Sequence, residues 1–470
     1  MQLRSCFDSL VLSLTLVTAC ASKERSADSA SPDVMQGVVV SASPEATAAG
    51  VEILERGGNA IDAALAVQFA LGVTEPAMSG LGGQSQIIVH PPDGAPFVIN
   101  GTSYAASAIP DVIPERALVT GWTATTVPST VRVMDFAQRN YGSGNVSWAD
   151  TLAPAIRYAE EGFEVGQFRA LVYQRHEDDL RESPTAAPMF LMPDGALPQL
   201  GDIVRQPILA TTLERLARDG AEDFYTGAIA AEIVADMNRF GGWISADDLA
   251  ATPEPRVQQP LATTYRGFDI YTLPPPAGGW VVLQALNILE HFPADTLSAP
   301  DAGRAAALLQ ALRLAHRSRN DTPEADLVNY EKDIGQRISK EAAAALSQGV
   351  VRSHRDAGGE TTHFSVVDSD GLAVSVATSI DSYFGARVAS PSLGFLYNNY
   401  MQSLEEEPGH AFSVAPRAMP YSSMSATIIA KDGSPVVILG SPGSARIISA
   451  VTQVSSHWID VNAGIEAAVS

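Results

Sequence analysis

A helix that is apolar on nearly every side, Ala60 to about Leu71, constrains the fold of this chain more than any other segment. Its turns carry Ala63, Leu65, Val67 and Phe69, so apolar side chains point in all directions around the helix axis. A helix of this kind offers water no polar face and has to lie inside a layered core. The sequence therefore predicts that other helices or sheets cover this segment on all sides.

Two further elements flank this helix. Before it, Ser43 can cap a helix that has Pro44 at its first position and apolar residues at helical spacing up to Gly57-Gly58. After it, residues 86–90 form a short apolar run that ends at two prolines, which predicts a buried strand. Helices and strands thus occur together from the start of the ordered region, which we place near Gly37.

A hairpin follows residue 360 and carries the first pair of chemical interest. Two strand-like segments flank Asp368-Ser369-Asp370-Gly371, a strong turn sequence in which the glycine can take a positive φ. Residues facing each other across this turn should have numbers that sum to about 740, so Thr361 should face Thr378 or Ser379. Such a hydroxyl pair is usually an ordinary cross-strand contact.

A glycine-rich loop, Gly440 to Arg446, lies between an apolar strand and an amphipathic helix. A strand, a glycine turn and a helix N-terminus together present backbone N–H groups that could stabilise a developing oxyanion. The loop lacks the Gly-Lys-Ser/Thr sequence of a phosphate-binding loop. Taken alone, such a loop is more often a purely structural turn.

Charge and cysteine content exclude several classes of function. The formal net charge is −23, from 30 basic and 53 acidic residues, which argues against nucleic acid or an anionic membrane surface as a partner. Both cysteines, Cys6 and Cys20, lie in the first 20 residues, so the rest of the chain offers no cysteine nucleophile or thiolate zinc site. The histidines are scattered, and we expect no catalytic metal and no cofactor.

The N-terminal residues have the features of an export signal. A basic residue precedes an apolar run that is too short to span a bilayer, and small residues followed by Cys20 resemble the lipobox of bacterial lipoproteins. We interpret residues 1–19 as a signal peptide and residues 20–36 as a lipidated N-terminus with a flexible tether. The protein would then be exported to the bacterial periplasm or cell envelope, with the lipid as its only membrane contact. Ordinary signal cleavage without lipid is the alternative.

Five segments together resemble the signature segments of the γ-glutamyltranspeptidase family, and they occur in the same order. They are residues 57–64, Pro274-Pro275-Pro276 before Gly278-Gly279, residues 361–368, residues 422–425 and residues 440–443. The resemblance implies an α/β (α+β) fold, a four-layer αββα sandwich of the N-terminal-nucleophile hydrolases. It also implies self-cleavage between Glu360 and Thr361, giving a large subunit of residues 37–360 and a small subunit of residues 361–470 that form a heterodimer.

The resemblance assigns the catalytic roles as well. Thr361 would be the nucleophile, and its α-amine, released by the cut and with a pKa near ~8, would be the base. Ser379 occupies the position of a second hydroxyl that hydrogen-bonds the nucleophile. The N–H groups of Gly443 and Ser444 would hold the oxyanion. The substrate would be a small-molecule amide or a peptide.

The acyl-recognition residues depart from the family pattern. Thr102 stands where the family has a carboxylate-binding arginine, Asp381 replaces an asparagine, and Tyr400 and Ser403 replace polar residues that bind the substrate amine. Ser422-Ser423 persists as the polar contact to that end of the substrate. These changes predict poor activity on glutathione and a preference for a different acyl group.

A second interpretation is a lipid-anchored binding protein of the same fold without turnover. The missing arginine favours it. The chain also ends at Ser470, where the small subunit of the family normally continues into further strands. We therefore expect the C-terminal part of that subunit to be missing from this sequence.

Overall fold

The computed structural model describes residues 37–321, 326–347, 360–406, 409 and 412–470. The signal peptide, Cys20 and the tether predicted from the sequence lie outside the described residues. The strands are β1 (Val38–Val40), β2 (Gln84–His90), β3 (Phe97–Gly101), β4 (Phe163–Glu164), β5 (Ile203–Val204), β6 (Arg256–Gln258), β7 (Leu261–Tyr265), β8 (Phe268–Thr272), β9 (Glu360–Val367), β10 (Ala373–Asp381), β11 (Thr427–Lys431) and β12 (Ser434–Leu439).

The helices are α1 (Pro44–Glu55), α2 (Ala60–Thr74), α3 (Thr130–Tyr141), α4 (Trp148–Glu161), α5 (Gln167–Arg175), α6 (Glu177–Glu182), α7 (Ala187–Phe190), α8 (Pro207–Asp219), α9 (Ala228–Phe240), α10 (Ala246–Ala250), α11 (Gly279–Leu289), α12 (Ala294–Ser298), α13 (Ala302–Asp321), α14 (Glu331–Arg337), α15 (Lys340–Ser347), α16 (Arg446–Asp460) and α17 (Ile465–Val469). Short 3₁₀ segments are Trp122–Ala124, Ala221–Phe224 and Tyr400–Ser403. Within the described ranges, no helix is both long enough and apolar enough to cross a membrane.

Two antiparallel sheets form the centre of the fold. The larger sheet has the order β1-β9-β10-β2-β3-β6, and the smaller has the order β12-β11-β8-β7. Strands β4 and β5 form a separate two-stranded ribbon. Because β9 and β10 lie between β1 and β2, the C-terminal hairpin completes a sheet whose other strands come from the first 260 residues.

The fold has four layers, and the alternation of side chains along β2 and β11 shows them. On β2, Ile87 and Val89 lie in the core that α2 and its neighbouring helices form. The intervening Ile88 lies in a different core, together with Ile428 of β11 in the other sheet. The next residue of that strand, Ile429, packs among residues of α11 and α16. Since side chains alternate along a strand, each sheet is covered on both faces, and the predicted αββα sandwich is confirmed.

The apolar helix predicted from the sequence is α2, and every residue in it except Gly72 is buried. Asn59 caps it: its side chain accepts hydrogen bonds from the backbone N–H groups of Ile61 and Asp62, and Asp62 completes a capping box. A further acceptor comes from the C-terminal hairpin, where Asp368 Oδ2 accepts from the backbone N–H of Ala60 at 2.9 Å. The hairpin turn is thereby tied to the start of the central helix.

The hairpin has the predicted turn but not the predicted register at its open end. Gly371 takes a φ of 89° in the turn, as its sequence position requires. Pairing follows the expected sum as far as Thr378, which faces Thr362, and then shifts so that Asp381 faces Glu360. This irregularity is a β-bulge that leaves Ser379 and Ile380 opposite Thr361. Glu360 is the first residue of β9, because β10 extends beyond the bulge to pair with it.

Candidate active site

The predicted nucleophile lies at one end of the larger sheet. Thr361 is the second residue of β9, and it is buried, with 5% of its surface exposed. In the same sheet, Ser379 of β10 pairs with Gln84 of β2, and Thr102 follows directly after β3. Antiparallel pairing of four neighbouring strands, β9, β10, β2 and β3, therefore gathers these residues at the same sheet end.

The hydroxyl of Ser379 points at the peptide bond that precedes Thr361. Its Oγ donates a hydrogen bond to the carbonyl oxygen of Glu360 at 2.6 Å. Ser379 Oγ in turn accepts a hydrogen bond from the backbone N–H of Asp381 at 2.7 Å. The β-bulge orients the Ser379 hydroxyl toward the Glu360 carbonyl. In the uncut chain the hydroxyl proton of Ser379 thus polarises the carbonyl group of the Glu360–Thr361 bond.

Asp381 lies at the end of the bulge in a left-handed conformation, with a φ of 78° that aspartate tolerates better than most residues. Burial raises the pKa of its carboxyl to about 7. A hydrogen bond that Gln402 Nε2 donates to Asp381 Oδ2 at 2.8 Å acts in the opposite direction but is the weaker effect. The predicted position in the substrate pocket therefore carries a carboxyl group that gains a proton near neutral pH. Gln402 was not singled out from the sequence, because its contact depends on the chain folding back over the bulge.

Tyr400 fills the space beside Ser379. It belongs to the core between the two sheets, and burial together with the nearby Asp381 raises the pKa of its phenol. Hydrogen bonding with Ser379 and Gln84 lowers that pKa. The phenol hydroxyl of Tyr400 thus hydrogen-bonds the predicted catalytic hydroxyl and remains uncharged at neutral pH.

Gln84 also hydrogen-bonds Thr102, the residue predicted to stand at the position of the family's carboxylate-binding arginine. Its Oε1 accepts hydrogen bonds from Thr102 Oγ1 at 3.1 Å and from the backbone N–H and Oγ of Ser103 at 2.7 and 2.9 Å. All three donor groups thus share Gln84 Oε1 as their acceptor, and Gln84, Thr102 and Ser103 are all buried from solvent. The Thr102 position is therefore a closed polar cluster that offers no positive charge to a substrate.

The glycine-rich loop joins β12 to α16, as predicted. Gly443 and Ser444 both take positive φ angles, of 113° and 55°, and the helix begins at Arg446. The side chain of Arg446 reaches β9, where its Nη2 donates to Glu360 Oε1 at 2.6 Å. This contact brings the loop that carries the predicted oxyanion donors beside the Glu360–Thr361 bond.

A second contact fixes the other end of the loop. The imidazole of His363 is buried against Gly440, and a methyl group at that glycine would lie 2.2 Å from His363 Cδ2. His363 Nε2 and Ser375 Oγ are 2.8 Å apart and share a hydrogen bond. Burial lowers the pKa of His363 to about 3, so its ring is neutral at physiological pH.

We expect Gly440→Ala to destabilise the protein by about 1–3 kcal/mol and to shift the loop away from β9, because the buried ring cannot move aside. Thermal unfolding measures the first effect, and the rate of chain cleavage on denaturing gels measures the second.

Gly335→Ala is the matched control for Gly440→Ala. A methyl group there meets no atom within 4 Å inside an exposed helix, and it should leave stability unchanged or slightly higher. Equal melting temperatures for Gly440→Ala and the wild type would contradict the expectation.

The Ser422-Ser423 pair lies against the proline segment. The backbone N–H of Ser422 donates to the carbonyl of Pro276 at 2.9 Å, and Ser423 Oγ accepts from Arg319 Nη1 at 2.9 Å. Among the described residues, the buried Ser422 Oγ has no hydrogen-bond partner. A polar group left in this way is suited to receive a substrate atom.

The structure thus adds residues that sequence reasoning missed or left without a role. Gln84 accepts hydrogen bonds from Thr102 and Ser103, and Gln402 donates one to Asp381. Arg446 and His363 connect the glycine-rich loop to β9. The signal available for Gln84 was a run of three polar residues, Gln84-Ser85-Gln86, directly before an apolar strand segment. In the part of the chain that the structure describes, no cluster of three His, Cys, Asp or Glu side chains could hold a metal ion.

Comparisons with known proteins identify the family of this chain. The family model for gamma-glutamyltranspeptidase matches residues 46–470. The glutathione hydrolase proenzyme of Bacillus subtilis (strain 168) is 32% identical over 472 residues, covering 92% of this chain and 79% of the relative. The acylase ACY 1 proenzyme of Pseudomonas sp. (strain V22) is also 32% identical, over 463 residues, covering 92% of this chain and 81% of the relative.

Solved structures show the same fold. A cephalosporin acylase from Bacillus halodurans superposes with a TM-score of 0.79 at 27% identity, covering 91% of this chain and 81% of that one. The gamma-glutamyltranspeptidase of Helicobacter pylori has a TM-score of 0.62 at 28% identity, covering 67% of this chain and 92% of that one. Both sequence and fold therefore place this protein with amide hydrolases and acyltransferases. The chain belongs to the gamma-glutamyltranspeptidase family of N-terminal-nucleophile enzymes.

Proposed function

We propose that this enzyme cuts its own chain between Glu360 and Thr361 and then transfers or hydrolyses an acyl group through an ester on Thr361. The observation that carries the proposal is the 2.6 Å hydrogen bond from Ser379 Oγ to the Glu360 carbonyl, directly before the threonine. Relatives described as proenzymes support it, both among glutathione hydrolases and among acylases. The products would be a large subunit of residues 37–360 and a small subunit of residues 361–470.

Chain cleavage proceeds in two steps in this proposal. Thr361 Oγ attacks the carbonyl carbon of Glu360, an ester C–O bond forms, the peptide C–N bond breaks, and the hydroxyl proton ends on the threonine nitrogen. Ser379 stabilises the negative charge that develops on the Glu360 oxygen. Water then hydrolyses the ester, which leaves a carboxylate on Glu360 and restores the Thr361 hydroxyl. The new terminus has a free α-amine on the same residue as the nucleophile.

That amine is the general base of turnover. With a pKa near ~8 it is partly neutral at physiological pH and can take the proton of Thr361 Oγ as the hydroxyl attacks an amide substrate. The backbone N–H groups of Gly443 and Ser444 are proposed to hold the oxyanion. The substrate amine leaves with a proton, and water or another amine then releases the acyl group from Thr361.

The acyl pocket is proposed to differ from that of a γ-glutamyl-specific enzyme. At Thr102 the structure has a closed hydrogen-bonded cluster instead of a guanidinium, and Asp381 adds a carboxyl group. An unpaired substrate carboxylate costs on the order of 2–5 kcal/mol, which corresponds to a loss of about 30-fold or more in kcat/KM.

We therefore expect the processed enzyme to hydrolyse γ-glutamyl p-nitroanilide and glutathione with kcat/KM values at least about 30-fold below those of the Bacillus subtilis relative measured alongside. Thr102→Arg is the companion variant, although it must displace the Gln84 cluster to reach the substrate. Equal specificity constants for the two enzymes would show that another group binds the α-carboxylate.

A non-catalytic binding protein of the same fold is the second candidate, and the loss of the arginine at Thr102 favours it. In both interpretations residues 1–19 would act as an export signal, and Cys20 would carry a lipid that anchors the protein in the cell envelope. A panel of acyl p-nitroanilides separates the candidates. Release of nitroaniline by the processed protein supports the enzyme, whereas two chains that bind but release nothing support the binding protein.

A further inference from the structure

The hydroxyl of Ser379 has three hydrogen-bonding neighbours but only one proton to give. Its Oγ donates to the carbonyl oxygen of Glu360 at 2.6 Å and accepts from the backbone N–H of Asp381 at 2.7 Å. The third neighbour is the phenol hydroxyl of Tyr400. A serine oxygen has two lone pairs, so one of them remains free after the contact with Asp381. The direction of the contact with Tyr400 therefore decides where the Ser379 proton lies.

The hydrogen bond between Tyr400 and Ser379 can run in either direction. If Tyr400 donates, it fills the free lone pair of Ser379, and the Glu360 carbonyl is the only acceptor among these neighbours for the serine proton. If Tyr400 accepts, its phenol oxygen and the Glu360 carbonyl compete for the same proton. Only the first arrangement keeps the proton at the bond that is predicted to break.

The side-chain amide of Gln84 fixes this direction. The backbone N–H of Ser103 can only donate, and it lies 2.7 Å from Gln84 Oε1, so this end of the amide is the oxygen. Oε1 also accepts from the hydroxyl groups of Thr102 and Ser103, which leaves it no free lone pair. The hydrogen bond between Gln84 and Tyr400 is then made by Nε2, which can only donate. Tyr400 thus accepts from Gln84 and has its own proton left for Ser379.

The segment that carries Tyr400 is held by its own hydrogen bonds. Tyr400 is buried, and its backbone N–H donates to Asn398 Oδ1 at 3.1 Å. Asn398 Nδ2 donates in turn to the carbonyl oxygen of Gly82, two residues before β2, at 2.7 Å. The backbone N–H of Asn399 donates to the carbonyl oxygen of Ile380 in the bulge at 3.1 Å. The segment is therefore tied both to the start of β2 and to the end of β10.

We propose that Tyr400 and Gln84 act as positioning residues for self-cleavage. Gln84 donates to Tyr400, and Tyr400 donates to Ser379. The proton of Ser379 is thereby kept on the Glu360 carbonyl, the group that Thr361 attacks. The inference rests on the function proposed above and describes how the uncut chain is prepared for its first step. It also gives Tyr400, which is predicted to replace a substrate-binding residue of the family, a role inside the site.

Gln84→Glu tests the proposal most sharply, because it reverses the direction and keeps the shape of the side chain. The new carboxylate can still accept from the three present donors, and these favour its ionised form. It cannot donate, so the Tyr400 proton turns toward it and the phenol oxygen draws the Ser379 proton away from the Glu360 carbonyl. We expect chain cleavage at about pH 9 to be about tenfold slower than for the wild type at the same pH. An unchanged rate would overturn the proposal.

Tyr400→Phe distinguishes this reversal from a general disturbance of the site. Alone, it removes one donor to Ser379 and should slow chain cleavage only about threefold. Combined with Gln84→Glu, it removes the oxygen that competes for the Ser379 proton, so the double variant should be cut faster than Gln84→Glu alone. Two independent structural defects would add instead. A double variant that is cut no faster than Gln84→Glu would therefore overturn the proposal.

Tyr265→Phe is the matched control for Tyr400→Phe. Tyr265 is also fully buried, and its hydroxyl donates to Asp460 Oδ2 at 2.7 Å in the core beside α11 and α16. The change should lower the melting temperature, leave the cleavage rate at the wild-type value and give no recovery when combined with Gln84→Glu. Recovery of Gln84→Glu by Tyr265→Phe would show that loss of any buried phenol hydroxyl has this effect, and it would overturn the role of Tyr400.

Failure of this inference can be told apart from failure of the proposed function. A wild-type protein that remains a single chain contradicts the proposed function. A wild-type protein that is cut, with a Gln84→Glu variant that is cut equally fast, contradicts only the positioning role of Gln84 and Tyr400.

Discussion

Thr361→Ala is expected to remain one polypeptide and to show no turnover on any amide donor. The substitution removes the oxygen that attacks the Glu360 carbonyl, so the ester that precedes cleavage cannot form. Without the cut there is no α-amine to act as the base. Denaturing gels check this directly, because the wild type should give a fragment of 110 residues from Thr361 to Ser470.

Two further variants at this position separate chemistry from packing. Thr361→Val keeps the shape of the side chain in its buried site and should also remain uncut. Thr361→Ser keeps the hydroxyl and should be cut, although it loses the methyl group that restricts the side-chain rotamer. Cleavage at the same bond in either the alanine or the valine variant would exclude Thr361 as the nucleophile of self-processing.

Ser379→Ala should slow chain cleavage by about 10²–10³-fold, the range for removing one oxyanion donor. The lost hydrogen bond is the one that Ser379 Oγ donates to the Glu360 carbonyl at 2.6 Å, where charge develops as Thr361 attacks. A time course of subunit formation after synthesis of the precursor gives the rate. The effect on self-cleavage should exceed that of any substitution discussed above except those that remove the Thr361 hydroxyl.

The control for this variant is Ser379→Thr, which retains the hydroxyl and should be processed much faster than Ser379→Ala. Thermal unfolding of the alanine variant identifies any general loss of structure, since the residue is fully buried. A Ser379→Ala protein that folds and is cut at the wild-type rate would show that the hydrogen bond in the uncut chain has no catalytic role.

The parts of the site that were predictable from sequence are the local ones. Gly371 marked the hairpin turn, and counting outward from it placed Ser379 close to Thr361. The counting assumed a regular ladder, so it could not show the bulge that turns the Ser379 hydroxyl to the Glu360 carbonyl. The position of a bulge depends on which residues pack against the end of the strand. Here Asn399 does so, and its backbone N–H donates a hydrogen bond to the carbonyl oxygen of Ile380.

Contacts between segments that are far apart in the chain could not be predicted from a single sequence. Glu360 and Arg446 are 86 positions apart, and neither carries a pattern that identifies the other. Gln84 is the first of three polar residues that precede an apolar run, and only the pairing of β2 with β10 brings it to Ser379. The layered fold was easier to predict, because the apolar α2 helix permits few alternatives.

The position of the C-terminal hairpin decides how the two proposed subunits would behave once formed. Strands β9 and β10 lie between β1 and β2, so a segment of the small subunit is hydrogen-bonded on both sides to the large one. Separating the pieces would mean withdrawing two central strands from an intact sheet. The heterodimer should therefore be permanent and unable to exchange subunits, and its assembly would be completed when the precursor folds.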